Sequence, residues 1–389
     1  MAAGAAAAGG GVINLPGIDE VWAALPEARI AGGAVRDMLA DREVADVDFA
    51  VPLRPEEVMA RAKAAGLKAV PTGVEHGTVT IVAGGRGFEV TSLRRDVETD
   101  GRHAIVAFTD DWREDAARRD FTINAMSCTQ QGELFDYFGG RADLAAGLVR
   151  FVGDAAERIA EDYLRVLRFF RFFARYGRGR ADGGAVAAIA AGRHGVRQLS
   201  VERVWSEVKK ILTAPAPLAA VKLMRETGVL EIVLPGADVA RLEALLERGA
   251  PVDPLLRVAA LSNEDFAARL RLSGGEAARL AAWRAPFVLK PGDDDAALRR
   301  ALADAPHEVL IGQSWLRGGD AAVLRARLAE MERPVFALQG RDLAALGVKP
   351  GPEMGEMLAE VRRWWMDGGC VAGKEECLAR VRAALSGLG

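Results

Sequence analysis

The stretch Arg29-Ile-Ala-Gly-Gly-Ala-Val-Arg-Asp37 decides how this 389-residue chain begins to fold. It puts two glycines after a short apolar strand and just before a predicted helix. Gly32 and Gly33 allow a tight turn and a close approach of a ligand to the backbone, and the N–H groups at the helix start point toward that ligand. Arg36, in the first turn, can pair with a phosphate through two parallel hydrogen bonds. The stretch indicates a phosphate cradle, although an ordinary strand-to-helix turn would use the same glycines.

A pair of carboxylates follows shortly downstream, in Asp46-Val47-Asp48. In an extended segment, residues i and i+2 project from the same face, so the two carboxylates should lie side by side. Neighbouring anions repel each other, and a divalent cation such as Mg²⁺, which also binds substrate phosphates, removes that repulsion. A solvated turn explains an isolated pair equally well, but the glycine turn upstream favours a metal site.

Composition limits the functions that the chain can have. It has 50% hydrophobic and 27% charged residues and a net charge of −3, so nucleic acid would have to bind a local basic surface. The three cysteines are too few and too scattered for a disulfide framework, which fits a reducing cytosol. The cysteines and the four histidines also lack the spacing of a zinc site. No window of about 18 apolar residues lacks charge, so no membrane span is predicted. We therefore expect a cytoplasmic protein without membrane association.

The pattern of the sequence changes near residue 150. Before it, short β-like runs alternate with Gly- and Asp-rich turns, and 54–65 has the apolar spacing of a helix. After it, Ala-, Leu- and Arg-rich segments with helical spacing continue to the end. The β-like runs cover residues 28–34, 47–51, 77–82, 88–93 and 105–108. The pattern predicts an α+β fold with these regions: a disordered tail (1–11), a mixed-sheet head (12–150) and helical regions over 151–215, 216–300 and 301–389.

Two further stretches carry groups suited to a nucleotide. Arg118-Arg-Asp-Phe-Thr-Ile-Asn-Ala-Met126 offers two guanidinium groups for a triphosphate, and Asp120 and Asn124 for ribose hydroxyls. Taken alone, it is also a plausible helix start capped by Asp120. The second stretch, Glu161-Asp-Tyr-Leu-Arg-Val-Leu-Arg-Phe-Phe-Arg171, predicts a helix with Asp162, Arg165 and Arg168 along one slanted polar stripe. An amphipathic helix with salt-bridging pairs is an equally good interpretation of that stripe.

Together these stretches resemble the nucleotidyltransferase superfamily with a polymerase-beta-like head. Specifically, they resemble the bacterial-type (class II) tRNA nucleotidyltransferase and poly(A) polymerase family. Residues 71–78 and 88–102 also resemble it, in the form of its alphaproteobacterial and mitochondrial-like members. The resemblance implies a catalytic head followed by a helical neck, body and tail, the tail binding tRNA. It also implies CCA addition, in which the 3′ hydroxyl of tRNA attacks CTP twice and ATP once and releases pyrophosphate each time.

The resemblance also implies a role for each matching residue. Asp46 and Asp48 would be catalytic and hold Mg²⁺, while Asp162 and Arg165 would read the edge of the incoming base. Cytosine and adenine both expose an amino donor beside a ring-nitrogen acceptor, which an Asp and Arg pair can meet. The other expected nucleotide-binding residues are Gly32, Gly33, Arg36, Arg119, Asp120, Asn124, Arg168 and Arg171.

Several alternatives stay open at this point. A poly(A) polymerase, or an enzyme that adds only A or only CC, would carry the same head. A non-catalytic RNA-binding module is disfavoured because an unneutralised pair of carboxylates would repel RNA. Glu89 is either a third carboxylate at the metal or a structural acid, and Arg94–Thr109 resembles the loop with which family members switch from cytosine to adenine. The sequence leaves the oligomeric state undetermined.

Overall fold

The computed structural model describes residues 13–99, 104–262, 264, 266–319 and 321–386. The predicted disordered tail over residues 1–11 lies outside the described residues, as do residues 100–103 of the predicted adenine-switch loop. The chain forms two compact units, Met1–Ala237 and Asp238–Gly389. The finer division into head, neck, body and tail stays a prediction.

The first unit contains a mixed β-sheet. Its central strands β2 and β5 are parallel, and all other neighbouring pairs are antiparallel, in the order β3-β4-β5-β2-β1-β8-β9. Strands β6 and β7 form a separate antiparallel ribbon. The strands are β1 (Arg29–Ala31), β2 (Asp48–Val51), β3 (Lys68–Gly73), β4 (Thr78–Ala83), β5 (Arg86–Ser92), β6 (Arg94–Thr99), β7 (Ala104–Phe108), β8 (Met126–Cys128) and β9 (Leu134–Asp136).

Each β-like run predicted from the sequence overlaps one of these strands, with boundary differences of up to three residues, and the α+β prediction is confirmed. Four strands were not predicted. Strand β3 lies at the sheet edge, contains Pro71 and has no buried side chain, so it lacks an apolar alternation. Strand β6 is rich in charge, and β8 and β9 have three residues each, too few to show a periodicity of two.

In the first unit, α-helices lie before and between the strands in the sequence, and further helices follow the last strand. They are α1 (Ile18–Ala24), α2 (Gly33–Leu39), α3 (Pro55–Ala64), α4 (Trp112–Ala117), α5 (Gly140–Ala146), α6 (Ala155–Glu161), α7 (Leu164–Tyr176), α8 (Gly183–Gly192), α9 (Val201–Leu212), α10 (Pro217–Glu226) and α11 (Val229–Val233). Short 3₁₀ turns span Val74–His76, Thr122–Asn124 and Arg193–Gln198.

An aromatic cluster fixes the longest of these helices, α7, against the isolated β-bridge between Phe121 and Phe151. The ring of Phe121 lies 4.8 Å from that of Phe151 and 5.2 Å from that of Phe172, measured between centroids. Phe169 stacks on Phe151 at 6.0 Å. Because such rings bury large apolar areas in defined geometries, the cluster holds the polar face of α7 at a fixed position beside the strands.

The second unit is helical wherever the structure describes regular elements. Its helices are α12 (Val239–Glu247), α13 (Pro254–Leu261), α14 (Gly274–Arg284), α15 (Asp295–Asp304), α16 (His307–Arg317), α17 (Ala322–Glu330), α18 (Gly340–Ala344), α19 (Pro352–Asp367) and α20 (Lys374–Ser386). One apolar cluster centres on Leu298, Leu302 and Leu324, and another on Leu343, Val361 and Val381. No helix in the described part of the chain is both long and apolar enough to cross a bilayer.

Candidate active site

The glycine turn between β1 and α2 places a guanidinium group directly over the backbone. Gly32 has a φ of +71°, and a Cβ there would lie 2.6 Å from Nη1 of Arg119. Gly33 has no such constraint, because the nearest atom to its Cβ would be Nη2 of Arg36 at 3.6 Å. Gly32 is therefore required both for its backbone conformation and for the space that Arg119 occupies.

The two predicted metal carboxylates lie on one side of the chain. Val47 and Phe49 are buried while Asp46 and Asp48 are exposed, which is the alternation expected for an extended segment. Strand β2 runs parallel to β5 and sets Asp48 in register with Glu89, which is also exposed. Asp48 therefore lies within electrostatic range of both Glu89 and Asp46.

The pKa of Asp48 is raised above its ordinary value. Partial removal from water is the largest cause, and the negative charges of Glu89 and Asp46 add to it, while Arg119 opposes the shift. Accumulated negative charge of this kind favours proton or cation binding. In the part of the chain that the structure describes, no group of three or more His, Cys, Asp or Glu side chains is close enough to hold a metal ion by itself.

A chain of hydrogen bonds links α2 to α7 through the Arg118–Met126 stretch. Arg36 donates from Nη1 to Oδ1 of Asn124 at 2.6 Å, and Asn124 donates from Nδ2 to Oδ1 of Asp120 at 2.9 Å. Arg168 donates from Nε to Oδ2 of Asp120 at 2.6 Å. Four predicted nucleotide-binding residues therefore form one connected network.

Asp120 is the buried centre of that network. Burial alone would raise its pKa, but Arg168, the amide of Asn124 and the backbone N–H of Phe121 more than offset this and hold the pKa below its usual range. Asp120 does not cap an α-helix: the 3₁₀ turn Thr122–Asn124 begins after it. The helix-cap interpretation of this stretch was therefore wrong, because Asp120 bonds the N–H of Phe121, the Asn124 amide and the distant Arg168 and caps no α-helix.

A second buried carboxylate orients the arginines that precede Asp120. Asp115 accepts a hydrogen bond from Nε of Arg118 at 2.8 Å and one from Nη2 of Arg119 at 3.3 Å. Burial would raise the pKa of Asp115, but the two arginines lower it overall. Asp115 was not identified from the sequence, although its positions three and four residues before the arginines are those of a helical ion pair.

The predicted base-reading stretch differs from the single helix that the sequence suggested. Helix α6 ends at Glu161 and α7 begins at Leu164, and Asp162 between them has extended backbone angles. Oδ1 of Asp162 accepts a hydrogen bond from the N–H of Leu164 at 3.0 Å. The prediction of one continuous polar stripe was wrong, because the Asp162 side chain satisfies an N–H at the start of the second helix.

Even so, Asp162 and Arg165 lie at the same cavity, each held by further charges. Asp162 accepts a hydrogen bond from Nη2 of Arg203 at 2.9 Å, and Arg165 donates from Nη1 to Glu161 and to the carbonyl of Arg158. Among the described residues, Nε and Nη2 of Arg165 have no hydrogen-bond partner, so they remain available to a ligand.

Helix α9 supplies cavity residues that the sequence did not reveal. Arg171 of α7 donates to Oε1 of the buried Glu207 at 3.0 Å, and Lys210 donates to the same oxygen at 3.2 Å. Arg203, Glu207 and Lys210 follow one another at spacings of four and three residues, which is one face of a helix. That spacing is a signal, but α9 carries no motif that would mark the face as part of a site.

These elements enclose a strongly basic cleft of about 920 Å³. All ten predicted nucleotide-binding residues line it, together with further residues from α7 and α9. Asp46 and Asp48 are not among the lining residues, and Arg119 connects them to the cleft because it lines the wall and lowers the pKa of Asp48. The charged lining residues are Arg36, Asp37, Arg94, Arg118, Arg119, Asp120, Asp162, Arg165, Arg168, Arg171, Arg175, Arg203 and Lys210.

Comparison with known families agrees with this arrangement. Residues 28–150 match the family described as the poly A polymerase head domain, which here includes the sheet and the glycine turn. Residues 184–241 match a family described as a probable RNA- and SrmB-binding site of polymerase A. The part of the chain with the Asp162 and Arg165 pair lies between the two matches.

Individual proteins are similar over most of the chain. The mitochondrial CCA tRNA nucleotidyltransferase 1 of Danio rerio is 37% identical over 376 residues, covering 91% of this chain and 86% of the relative. A CCA-adding enzyme of Geobacillus stearothermophilus is 34% identical over 333 residues, covering 84% and 76%. The crystal structure of the Bacillus stearothermophilus CCA-adding enzyme in complex with CTP superposes with a TM-score of 0.74 at 27% identity, covering 96% of this chain and 100% of that one. The chain belongs to the family of CCA-adding tRNA nucleotidyltransferases with a poly(A)-polymerase-type head.

Proposed function

We propose that this protein adds C, C and A to the 3′ end of tRNA, using CTP and ATP without a nucleic-acid template and releasing pyrophosphate. The observation that carries the proposal is the position of Asp162 and Arg165 in the same basic cleft as the glycine turn and Arg119. A nucleotide with its triphosphate at the turn would have its base on the side of α7. The protein would then choose the base with its own side chains.

The Asp46 and Asp48 carboxylates fit a divalent metal ion, which enzymes of this family generally use. Asp46 and Asp48 supply hard oxygen ligands. Partial burial is the main reason for the raised pKa of Asp48, and the negative charges of Glu89 and Asp46, which a cation would relieve, add to it. We propose that these two residues hold Mg²⁺, with substrate phosphates completing the coordination. When bound, such an ion stabilises charge on the phosphates and lowers the pKa of the attacking hydroxyl.

The cationic wall would neutralise the triphosphate. Arg119 lies over Gly32, and Asp115 fixes the direction of its guanidinium group. Arg36 is tied to Asn124 and Asp37, so its charge is held near the turn rather than being free to swing away. Preorganised cations of this kind lower the barrier to phosphoryl transfer, because they need not reorganise as charge develops.

Asp120 would act on the nucleotide through its neighbours. Both of its carboxylate oxygens are already bonded, one to Asn124 and Phe121 and the other to Arg168. We propose that Asn124 faces the ribose hydroxyls and that Arg168 and Arg171 support the nucleotide or the RNA 3′ end. Asp120 would keep Asn124 and Arg168 in place.

Base choice would follow from hydrogen-bond complementarity. The Asp162 carboxylate accepts, and the Nε and Nη2 groups of Arg165 donate, which suits the amino donor and ring-nitrogen acceptor of cytosine and adenine. Guanine and uracil present a carbonyl and a ring N–H instead. Each polar group left unpaired in the cleft would cost about 1–3 kcal/mol.

Primer extension tests the proposal and separates the alternatives. A tRNA transcript ending before CCA is supplied with labelled CTP, ATP or both. CCA addition requires two C residues followed by one A; a poly(A) polymerase would extend with ATP alone, a partial enzyme would stop early, and an RNA-binding module would bind without extension. Asp46→Asn should abolish incorporation and keep tRNA binding, while Asp110→Asn, which changes an exposed Asp outside the cleft, should leave both unchanged. Turnover retained in Asp46→Asn would refute the metal assignment.

Cytoplasmic location also remains a proposal. Cys128, Cys370 and Cys377 are all buried and unbonded to one another, which suits a reducing compartment. The Danio rerio relative is a mitochondrial protein by name, so the family does not fix the compartment. Fractionation of the source cells, followed by immunodetection of this chain, would decide it. Membership of an alphaproteobacterial-like branch stays a prediction as well.

A further inference from the structure

A second basic pocket adjoins the nucleotide cleft, on the other side of Tyr176. It has a volume of about 390 Å³ and shares Arg175 and Tyr176 with the cleft. Its floor includes the buried Leu144 and the half-buried Leu39. The arginines that line it are Arg42, Arg141, Arg175 and Arg178.

The first of these arginines is placed by a strained turn at the end of α2. Asp41 has a φ of +51°, a conformation that non-glycine residues rarely adopt. The N–H of Arg42 donates to the carbonyl of Asp37 at 2.9 Å, and that of Asp41 donates to the carbonyl of Met38 at 3.2 Å, which closes the helix end. The turn directs Arg42 over the ring of Tyr176, with Cζ 5.0 Å from the centroid.

The end of α7 is fixed to this turn and to the loop after α5. Nη2 of Arg42 donates to the carbonyl of Arg175 at 2.9 Å. The N–H of Arg178 donates to the carbonyl of Gly147 at 3.1 Å, and a Cβ at Gly147 would lie only 2.4 Å from Cγ of Arg178. Gly147 has a φ of +66°, so the close approach and the turn both depend on it. Three separate segments therefore converge on one pocket.

The charge of the pocket is uncompensated. Among the described residues, no Asp or Glu lines it, and the guanidinium groups of Arg141 and Arg178 have neither a hydrogen-bond nor an ion-pair partner. Arg141, Arg175 and Arg178 are exposed. Unpaired guanidinium groups around a small apolar floor suit a phosphate group, which accepts bidentate hydrogen bonds from arginine.

We propose that this second pocket binds a backbone phosphate of the RNA substrate, a few nucleotides before the 3′ end. The inference rests on the proposed function, which brings an RNA 3′ end into the adjoining cleft. An RNA strand is favoured over the nucleoside triphosphate because the triphosphate has its own cationic wall at Arg36 and Arg119. The pocket lies behind the Tyr176 wall, with its arginines at the surface, where a strand leaving the cleft would pass.

Two exposed arginines allow a test that spares the nucleotide cleft. The double variant Arg141→Gln and Arg178→Gln removes two charges but keeps the Cβ and Cγ atoms that pack near Gly147. The matched control, Lys63→Gln with Lys68→Gln, removes two exposed charges that line neither cavity. The affinity for tRNA is measured at several KCl concentrations by filter binding, and the KM for CTP is measured at saturating tRNA.

The expected result is tRNA affinity at least about tenfold weaker, with a shallower dependence of log Kd on log salt, because each lost phosphate contact lowers that slope by about one. The KM for CTP should stay unchanged, and the control should resemble the unaltered protein in both measurements. Unchanged affinity and slope would overturn the proposal. A raised KM for CTP or weaker inhibition by pyrophosphate, with normal tRNA binding, would overturn it in favour of a site for the leaving group. Because binding is measured without turnover, failure here is distinct from failure of the unaltered protein to add CCA.

Discussion

Asp48 and Glu89 face each other in register across the only parallel strand pair seen in the described sheet, and both side chains are exposed. Residues in register on neighbouring strands project from the same face of the sheet, so these two like charges lie within interaction range. Proteins avoid this arrangement unless a cation or a proton compensates it. The pair is therefore the structural reason to test whether Glu89 belongs to the metal site proposed for Asp46 and Asp48.

Removing the charge of Glu89 should shift the acid side of the activity profile. Glu89 raises the pKa of Asp48, so Glu89→Gln should lower that pKa and leave Asp48 ionised at more acidic pH. Single-turnover incorporation of CTP, followed as pH falls, should then persist further into the acid range than in the unaltered protein. The control Glu56→Gln, an exposed acid on α3, should not move the profile.

The same variant also decides whether Glu89 is a metal ligand. If Glu89 acts only through its charge, the Mg²⁺ concentration needed for half-maximal rate should rise only slightly in Glu89→Gln, because one negative charge near the ion is lost. A large rise in that concentration would show direct ligation. An acid limb that does not move would contradict the electrostatic relationship itself.

The two glycines of the turn should respond differently to the same substitution. In Gly32→Ala, a backbone at φ +71° and ψ −118°, which non-glycine residues rarely adopt, costs about 1–3 kcal/mol. The new Cβ would also lie 2.6 Å from Nη1 of Arg119, so that guanidinium group would have to move. In Gly33→Ala, the Cβ would make an ordinary contact at 3.6 Å. We expect Gly32→Ala to raise the KM for CTP and ATP strongly and Gly33→Ala to change it little, with both proteins folded by circular dichroism. Equal effects would show that neither the positive φ of Gly32 nor the place of Arg119 controls nucleotide binding.

The sequence revealed more of this site than of the contacts that hold it. The glycine turn, the carboxylate pair and the Arg118–Met126 stretch are local patterns. The first and the last line the cleft and the carboxylate pair does not, and their functional roles stay predictions. The break at Asp162 was missed because an Asp that closes one helix and starts the next has the same sequence appearance as an Asp on a continuous helix. Arg203 and Glu207 were missed because their partners, Asp162 and Arg171, are 41 and 36 residues away and meet them only in the folded chain.

Arg203 should influence base choice without touching the triphosphate. It donates to Oδ2 of Asp162, so Arg203→Gln leaves that carboxylate freer to rotate. We expect the ratio of kcat/KM for CTP over UTP to fall by about tenfold, because a hydrogen bond to a charged group contributes about 1.5–3 kcal/mol. Arg197→Gln, an exposed arginine outside the cleft, is the control. Equal losses for CTP and UTP would place Arg203 in general binding instead.

The pair between Asp120 and Arg168 should make stability depend on pH. Asp120 has a pKa below its unfolded value, so its contribution to the free energy of unfolding is complete above that unfolded value and is lost as pH falls through the folded pKa. Asp120→Asn removes this contribution and leaves Arg168 without its carboxylate. Because the Arg168 side chain is 32% exposed, the cost should fall below the roughly 3–5 kcal/mol of a fully buried pair. Urea unfolding at neutral and acid pH should show a large stability loss for Asp120→Asn at neutral pH and a smaller one in acid.

The double variant Asp120→Asn with Arg168→Gln isolates the interaction from general damage to the core. If the pair stabilises the fold directly, the combined loss at neutral pH should be clearly smaller than the sum of the two single losses. Additive losses, or a stability difference that does not change with pH, would contradict the assignment of Asp120 as an ionised partner of Arg168. In that case the network from Arg36 to Arg168 would owe its order to packing on the aromatic cluster around Phe121, and the carboxylate would have no electrostatic part in holding α7 beside the strands.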